Sequence, residues 1–199
     1  MLNIIKSILK KIVWTRDKAC NGFILKYYKV THGENIKING VIRICGIKGR
    51  IALGNNVTIN SSKYGIPIGY TNRNIFWILD EGKITIDDEA GISNAVMCSQ
   101  SSIYIGKHVM LGGGVKIYDT DFHSVNYLER RDIENDNNRT TKPVVIEEDA
   151  FIGAGSIILK GSYIGARSVI GAGSVVSGKI PSGEVWAGNP ARFIRKIEE

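Results

Sequence analysis

The sequence predicts an all-β solenoid, a parallel β-helix built from hexapeptide repeats, and three observations support this fold. Large aliphatic residues recur every six positions from residue 146 to residue 176. The match at eighteen residues is closer still, since residues 151–158 read FIGAGSII and residues 169–176 read VIGAGSVV. Glycine accounts for 23 of 199 residues beside only 4 prolines. A period of six fits neither an α-helix nor an alternating strand. It fits coils of three short faces, each with one inward aliphatic side chain followed by a tight turn.

The same frame can be followed over residues 34–190, with slips, and this range is predicted to form the β-helix domain. Residues 62–83 interrupt the repeat and are rich in aromatic residues. They are interpreted as distorted coils or a protruding loop, and their aromatic side chains either pack in the core or line a binding site.

The N-terminal residues 1–33 are predicted to form a basic amphipathic helical segment. Apolar residues stand at helical spacing in residues 1–14, with lysines largely on the other side. Residues 1–30 hold seven Lys and Arg against one Asp, so most of the net charge of +7 lies here. Such a helix packs on the body or another subunit, or it contacts an anionic membrane surface. The body carries too little positive charge to predict a nucleic-acid groove.

One long loop, about residues 118–145, is predicted because the six-residue frame stops at Ile117 and resumes at Ile146. Loops of this length in a compact fold are usually functional. His123 lies near its start, and imidazole suits a general base at neutral pH. The other two histidines are far away in sequence, so no metal site is predicted. The three cysteines form no close pair, which favours a reducing, cytoplasmic location.

The C-terminal residues 191–199 are predicted to form a short capping helix. Asn189 caps a helix well, and Pro190 suits the first helical position. Arg192 and Arg195, three residues apart, would then share one helical face, and paired guanidinium groups bind phosphate well.

Taken together, the hexapeptides, the segment DTDFHS (119–124) and the ending EVWAGNPARFIRKI (184–197) resemble the left-handed β-helix acyltransferases. The similarity is greatest to the sugar and xenobiotic O-acetyltransferases, a branch that includes maltose, galactoside, capsule and O-antigen acetyltransferases. The resemblance implies a homotrimer with active sites in the clefts between subunits, and acetyl-CoA as the acyl donor.

The resemblance also implies roles for individual residues. His123 would be the catalytic base, and Asn94 would help to hold the acceptor or the oxyanion. Independently of the resemblance, Asp119 and Asp121 are near enough in sequence to orient the imidazole or to bind the acceptor. The donor site would comprise five residues: Ala154, Ala172, Ser177, Arg192 and Arg195. In this branch a lysine often follows the residue at position 177, whereas here Gly178 intervenes before Lys179.

The function predicted first is an acetyl-CoA-dependent O-acetyltransferase that modifies a carbohydrate hydroxyl in bacterial surface-polysaccharide biosynthesis. Transfer would be direct, because no serine or cysteine stands in a recognisable nucleophile–base pattern. The location would be cytoplasmic, with peripheral contact to the inner membrane surface through residues 1–30. Two alternatives stay open: an N-acetyltransferase acting on an amino sugar, a sugar nucleotide or an amino acid, and a non-catalytic trimeric scaffold.

Overall fold

The computed structural model describes residues 2–62, 73–132 and 138–198. In chain order its first elements are α1 (Leu2–Tyr27), β1 (Thr31–His32), β2 (Lys37–Gly40), β3 (Arg43–Gly46), β4 (Ile51–Leu53), β5 (Thr58–Ser61), β6 (Ile75–Ile78) and β7 (Lys83–Ile86). There follow β8 (Gly91–Ser93), β9 (Val96–Ser99), β10 (Ser102–Ile105), β11 (Met110–Leu111), β12 (Lys116–Tyr118), α2 (Tyr127–Arg131), β13 (Val144–Ile146) and β14 (Phe151–Ile152). The last are β15 (Ile157–Ile158), β16 (Tyr163–Ile164), β17 (Val169–Ile170), β18 (Val175–Val176), β19 (Lys179–Ile180), β20 (Glu184–Gly188) and β21 (Ala191–Lys196).

Over the described ranges these strands form three sheets, and each coil adds one strand to each sheet. Face 1 runs β1-β4-β7-β10-β13-β16-β19, face 2 runs β2-β5-β8-β11-β14-β17-β20-β21, and face 3 runs β3-β6-β9-β12-β15-β18. Neighbouring strands are parallel, except that β21 is antiparallel to β20. The predicted left-handed parallel β-helix is therefore confirmed.

The core is a set of aliphatic ladders, one along each face. The six residues that carry the clearest period in the sequence are all fully buried: Ile146, Ile152, Ile158, Ile164, Ile170 and Val176. Each stacks on its counterpart in a neighbouring coil, as Ile152 does on Ile170. β-branched side chains suit this geometry because their preferred rotamers pack well on a pleated surface.

The small residues between the ladders form the corners. The Ser156 and Ser174 hydroxyls each donate to the Gly171 carbonyl oxygen, at 3.0 and 2.6 Å. Gly153 passes so close to the next coil that an added Cβ would lie 2.5 Å from the Ala172 nitrogen. A buried turn thus needs either a side chain that forms a hydrogen bond with the backbone, such as serine, or a residue without a side chain, which is glycine.

Helix α1 is longer than the amphipathic stretch seen in the sequence and packs on the first coils through its C-terminal half. Ile24, Leu25 and Tyr28 contact the core, and the Asn21 amide donates to the Gly40 carbonyl at 2.8 Å. Its apolar residues from Ile8 to Trp14 are exposed, as are Phe23 and Tyr27. No helix in the described part of the chain is long and apolar enough to cross a membrane.

The prediction of a C-terminal helix is wrong, because residues 191–196 form the strand β21. This strand pairs with β20 from Gly188–Ala191 to Glu184–Lys196. The Trp186 and Phe193 rings meet edge to face, with 6.2 Å between centroids. Pairing satisfies the outer backbone groups of β20, which a helix would leave open.

Part of the interrupted segment 62–83 is regular, since it contains β6 and the beginning of β7. Residues 63–72 lie outside the described residues. The predicted loop leaves face 3 after β12 and rejoins face 1 at β13, and it carries the short helix α2.

Candidate active site

The two ends of the long loop are held together where they leave the solenoid. Thr120 and Thr141 form an antiparallel bridge, and the Asp121 nitrogen donates to the Thr140 carbonyl at 3.2 Å. The Lys142 nitrogen donates to the Asp119 carbonyl at 2.9 Å. The base of the loop is therefore a small ladder.

Asp119 anchors this base to the previous coil. Its carboxylate is fully buried and accepts hydrogen bonds from the Ser99 hydroxyl at 2.8 Å, the Gln100 nitrogen at 2.7 Å and the Ser101 nitrogen at 2.9 Å. Hydrogen bonds to a buried carboxylate are strong. Asp119 therefore holds the loop, a role different from orienting an imidazole.

His123 is exposed between two tightly held neighbours. Phe122 packs its ring against Tyr118, with 5.3 Å between centroids. Ser124 is buried, and its hydroxyl donates to the Glu129 carboxylate at 2.6 Å. The imidazole therefore stands on a short segment that is fixed on both sides, an arrangement suited to a catalytic base.

Asp121 is paired with a lysine of a later coil. Its carboxylate lies 2.9 Å from the Lys160 ammonium group, with both side chains partly exposed. The pair ties the loop to the turn after β15. The predicted role of Asp121 toward an acceptor stays a prediction, with Lys160 as an added partner that the sequence did not indicate.

Ala154 and Ala172 stack in adjacent coils at the corner between faces 2 and 3, as their spacing of eighteen predicts. The Gly173 nitrogen donates to the Ala154 carbonyl at 2.8 Å. Ala172 is exposed. This corner presents backbone and small side chains to solvent, which allows close approach of an extended ligand.

A cleft of about 230 Å³ near the C-terminal end gathers further predicted donor residues. Ser177, Lys179 and Arg192 line it together with Trp186. Lys179 thus shares a cleft with Arg192 despite the glycine inserted before it. Among the described residues, neither Arg192 nor Arg195 lies within ion-pair distance of a carboxylate.

Arg192 and Arg195 share a face of β21 although they are three positions apart in a strand. In an antiparallel pair, residues directly opposite each other point to the same side. Arg192 opposes Ala187 and Arg195 opposes Val185, because a bulge shifts the register between those pairs. Since the partners are two residues apart, the bulge keeps both guanidinium groups on one side.

Apart from Arg192 and Arg195 on β21, the predicted site residues fall into two groups, on opposite edges of face 3. The His123 loop and Ser177 lie at the corner between faces 3 and 1. Ala154, Ala172 and Asn94 lie at the corner between faces 2 and 3, about four strand residues or roughly 13 Å away. Within one chain, Asn94 and His123 are therefore not brought together.

The sequence did not predict an aromatic cluster that covers Cys98 on the outside of face 3. Trp77, Cys98 and Tyr118 are in register on successive strands. Burial, with a smaller contribution from Asp119, raises the pKa of the Cys98 thiol to about 12. The thiol stays protonated at neutral pH and is a poor nucleophile. Throughout the described ranges, no three His, Cys, Asp or Glu side chains are grouped to hold a metal ion.

The family comparison matches residues 143–178 to the bacterial transferase hexapeptide (six repeats). This part of the chain therefore carries the hexapeptide repeat. This hexapeptide-repeat chain is 41% identical over 106 residues to a galactoside O-acetyltransferase of Lactococcus lactis, covering 53% of this chain and 49% of that protein. It is 58% identical over 60 residues to a 2,3,4,5-tetrahydropyridine-2,6-dicarboxylate N-acetyltransferase of Halalkalibacterium halodurans, covering 30% of this chain and 25% of that one.

The hexapeptide-repeat chain also resembles a solved structure, a hexapeptide-repeat containing acetyltransferase of Vibrio cholerae complexed with acetyl coenzyme A. The TM-score is 0.55 and the identity 28%, over 84% of this chain and 72% of that one. The chain spans about half the length of the galactoside O-acetyltransferase and a quarter of the N-acetyltransferase.

Proposed function

We propose that this protein is an acetyl-CoA-dependent acetyltransferase that acetylates a hydroxyl group of a carbohydrate. The observation that carries the proposal is the loop at residues 119–142, which presents an exposed His123 between two fixed neighbours. The similarity to acetyltransferases, one of them complexed with acetyl coenzyme A, supports the donor.

In the proposed reaction, His123 takes the proton of the acceptor hydroxyl as its oxygen attacks the thioester carbonyl carbon. The C–S bond then breaks, and the CoA sulfur leaves with the proton carried by the imidazolium. A general base of this kind contributes about 10²–10⁴-fold to the rate. A covalent acyl-enzyme on Cys98 is not needed, and its raised pKa disfavours one.

The donor would lie along two corners contributed by different subunits. Ala154 and Ala172 offer a smooth corner for the pantetheine arm, whereas His123 and Ser177 stand at the other edge of face 3. A ring of three chains in head-to-tail contact joins one edge of each chain to the opposite edge of its neighbour. This split arrangement supports a homotrimer with composite sites.

The CoA phosphates would bind to Arg192 and Arg195 on the outer side of β21. Both side chains are exposed and lie on one side of the strand. Guanidinium groups donate to two phosphate oxygens at once. Lys179, in the same cleft as Arg192, adds a third positive charge.

Transfer to an amine is the second candidate, and the 58% identity to an N-acetyltransferase over 60 residues favours it. Matched hydroxyl and amino sugars in a CoA-release assay separate the two. We expect higher kcat/KM with the hydroxyl acceptor, and the reverse order would favour N-acetylation.

Calorimetric titration of acetyl-CoA tests the donor site. We expect micromolar binding to the wild-type protein and at least about tenfold weaker binding to Arg192→Ala, because a charge-assisted phosphate contact is lost. Arg50→Ala is the matched control, since Arg50 pairs with Glu81 at 2.6 Å in the early coils, far from β21. Absence of binding to the wild type would leave the scaffold alternative.

A further inference from the structure

A patch of three aromatic side chains borders the loop segment that carries His123, and we call it the aromatic platform. Trp77 and Tyr118 stand on the outside of face 3, in β6 and β12, and Phe122 lies over them. The Phe122 centroid is 6.2 Å from that of Trp77, with 30° between the ring planes, and 5.3 Å from that of Tyr118. The platform therefore joins the solenoid to the residue directly before His123.

The exposure of Trp77 sets it apart from its neighbours in the same row. Cys98, the next residue in register, is 1% exposed, while Trp77 is 42% exposed. An indole is among the largest apolar surfaces in a protein, and leaving it in water forgoes the stabilisation that burial gives. A smaller side chain at position 77 would be sufficient if its role were only to pack against the loop.

The backbone of Phe122 indicates that its placement matters. Its φ is +66°, in the left-handed region that aromatic residues rarely adopt. The Phe122 nitrogen also donates to the Thr120 hydroxyl at 3.2 Å. This conformation sets the ring on Trp77 and leaves the following His123 exposed.

We propose that the aromatic platform binds the sugar ring of the acceptor, with Trp77 as its principal contact. This inference rests on the proposed function and narrows its substrate to pyranosides. One side of a pyranose carries several C–H groups, and these pack on the face of an indole. A ring held there lies beside the His123 segment, so one of its hydroxyls comes within reach of the imidazole. An acyclic alcohol has no such flat surface.

Kinetics of Trp77→Ala test the platform, with Trp14→Ala as the matched control on the distant helix α1. Acetyl-CoA is the donor in every assay. The acceptor is one of a panel of methyl hexopyranosides, glycerol, or water alone. We expect KM for the best pyranoside to rise at least about tenfold in Trp77→Ala, a change of about 1.4 kcal/mol. We expect kcat, the rate with glycerol and the slow hydrolysis of acetyl-CoA to stay within about threefold.

The same assays distinguish stacking from a purely structural role. If Trp77 only holds the loop, the rates with pyranoside, glycerol and water fall together, and this would overturn the inference. An unchanged KM for the pyranoside would also overturn it while leaving the proposed acetyl transfer intact.

A binding measurement keeps the inference testable if the wild type transfers no acetyl group. In the double variant Trp14→Phe/Trp186→Phe, Trp77 is the remaining tryptophan of the sequence. We expect its fluorescence to change as a methyl hexopyranoside is added and to stay constant with glycerol. Fluorescence that no pyranoside of the panel changes would refute the platform independently of catalysis.

Discussion

Replacing Asp119 by alanine should release the base of the His123 loop. The carboxylate satisfies two backbone N–H groups, those of Gln100 and Ser101, and the Ser99 hydroxyl. The hydroxyl has a second acceptor, the Lys83 carbonyl at 3.0 Å. Within the described part of the chain the two amides have no other acceptor, and an unsatisfied buried donor costs about 1–3 kcal/mol. The expected loss of local stability is therefore about 2–6 kcal/mol.

Asp119→Asn refines the prediction. The Gln100 nitrogen donates to Oδ1, while Ser99 and Ser101 donate to Oδ2. An asparagine that keeps its carbonyl at the Oδ2 position loses the acceptor for Gln100 alone. About half of the effect, roughly 1–3 kcal/mol, should follow.

Amide hydrogen exchange of the wild type and the variants is the appropriate assay, because it reports local opening without requiring the assembly to unfold. In Asp119→Ala the amides of Gln100 and Ser101 should exchange at least about thirtyfold faster, which corresponds to about 2 kcal/mol. Asp121→Ala is the control, since its partly exposed ion pair with Lys160 is worth at most about 1 kcal/mol. Equal exchange in Asp119→Ala and Asp121→Ala would refute the anchoring argument.

Three further predictions concern other parts of the molecule. Cys98 should resist a thiol reagent at pH 8 in the native protein, because a pKa of about 12 leaves almost no thiolate. The exposed Cys20 should react under the same conditions. Rapid modification of Cys98 would contradict its burial. Gly153→Ala should weaken acetyl-CoA binding in calorimetry and should lower the melting temperature more than Gly91→Ala does. An added Cβ meets the Ala172 nitrogen at 2.5 Å at Gly153 and nothing within 4 Å at Gly91. A larger effect of Gly91→Ala would contradict this reasoning. We propose that α1 contacts anionic lipid through its exposed apolar and basic residues. The protein should sediment with anionic liposomes and should not sediment with neutral liposomes. Absence of sedimentation with either kind would contradict this proposal.

The solenoid could be predicted because its determinants are local and periodic. Each buried position of a ladder, such as Ile152 or Ile170, recurs after a fixed number of residues, so the period specifies the coil. The long loop was predictable for the same reason, as the interval of 29 residues between Ile117 and Ile146 interrupts the frame.

The C-terminal strand was predicted wrongly because two structures share one spacing. A helix places Arg192 and Arg195 on one face because residues i and i+3 are neighbours on its surface. A strand with a bulge also places them on one face. The sequence carries no local signal for the bulge. Pairing with β20 decides between the two, and pairing is a long-range interaction.

The aromatic platform escaped prediction because its members come from segments outside the repeat. Trp77 and Phe122 are far apart in sequence and meet only because the loop folds back on face 3. The aromatic richness of residues 62–83 was the available signal, and it did not indicate which ring stays exposed. Periodicity therefore reveals the scaffold, while the site depends on the places where the period fails.

The central claim is that His123 acts as the base in acetyl transfer. CoA release with a pyranoside acceptor, measured for the wild type and for His123→Ala beside calorimetry of acetyl-CoA, tests it most directly. The account predicts a rate lower by about 10²–10⁴-fold in the variant, with acetyl-CoA affinity unchanged. A variant that binds acetyl-CoA and transfers acetyl groups at the wild-type rate would contradict it.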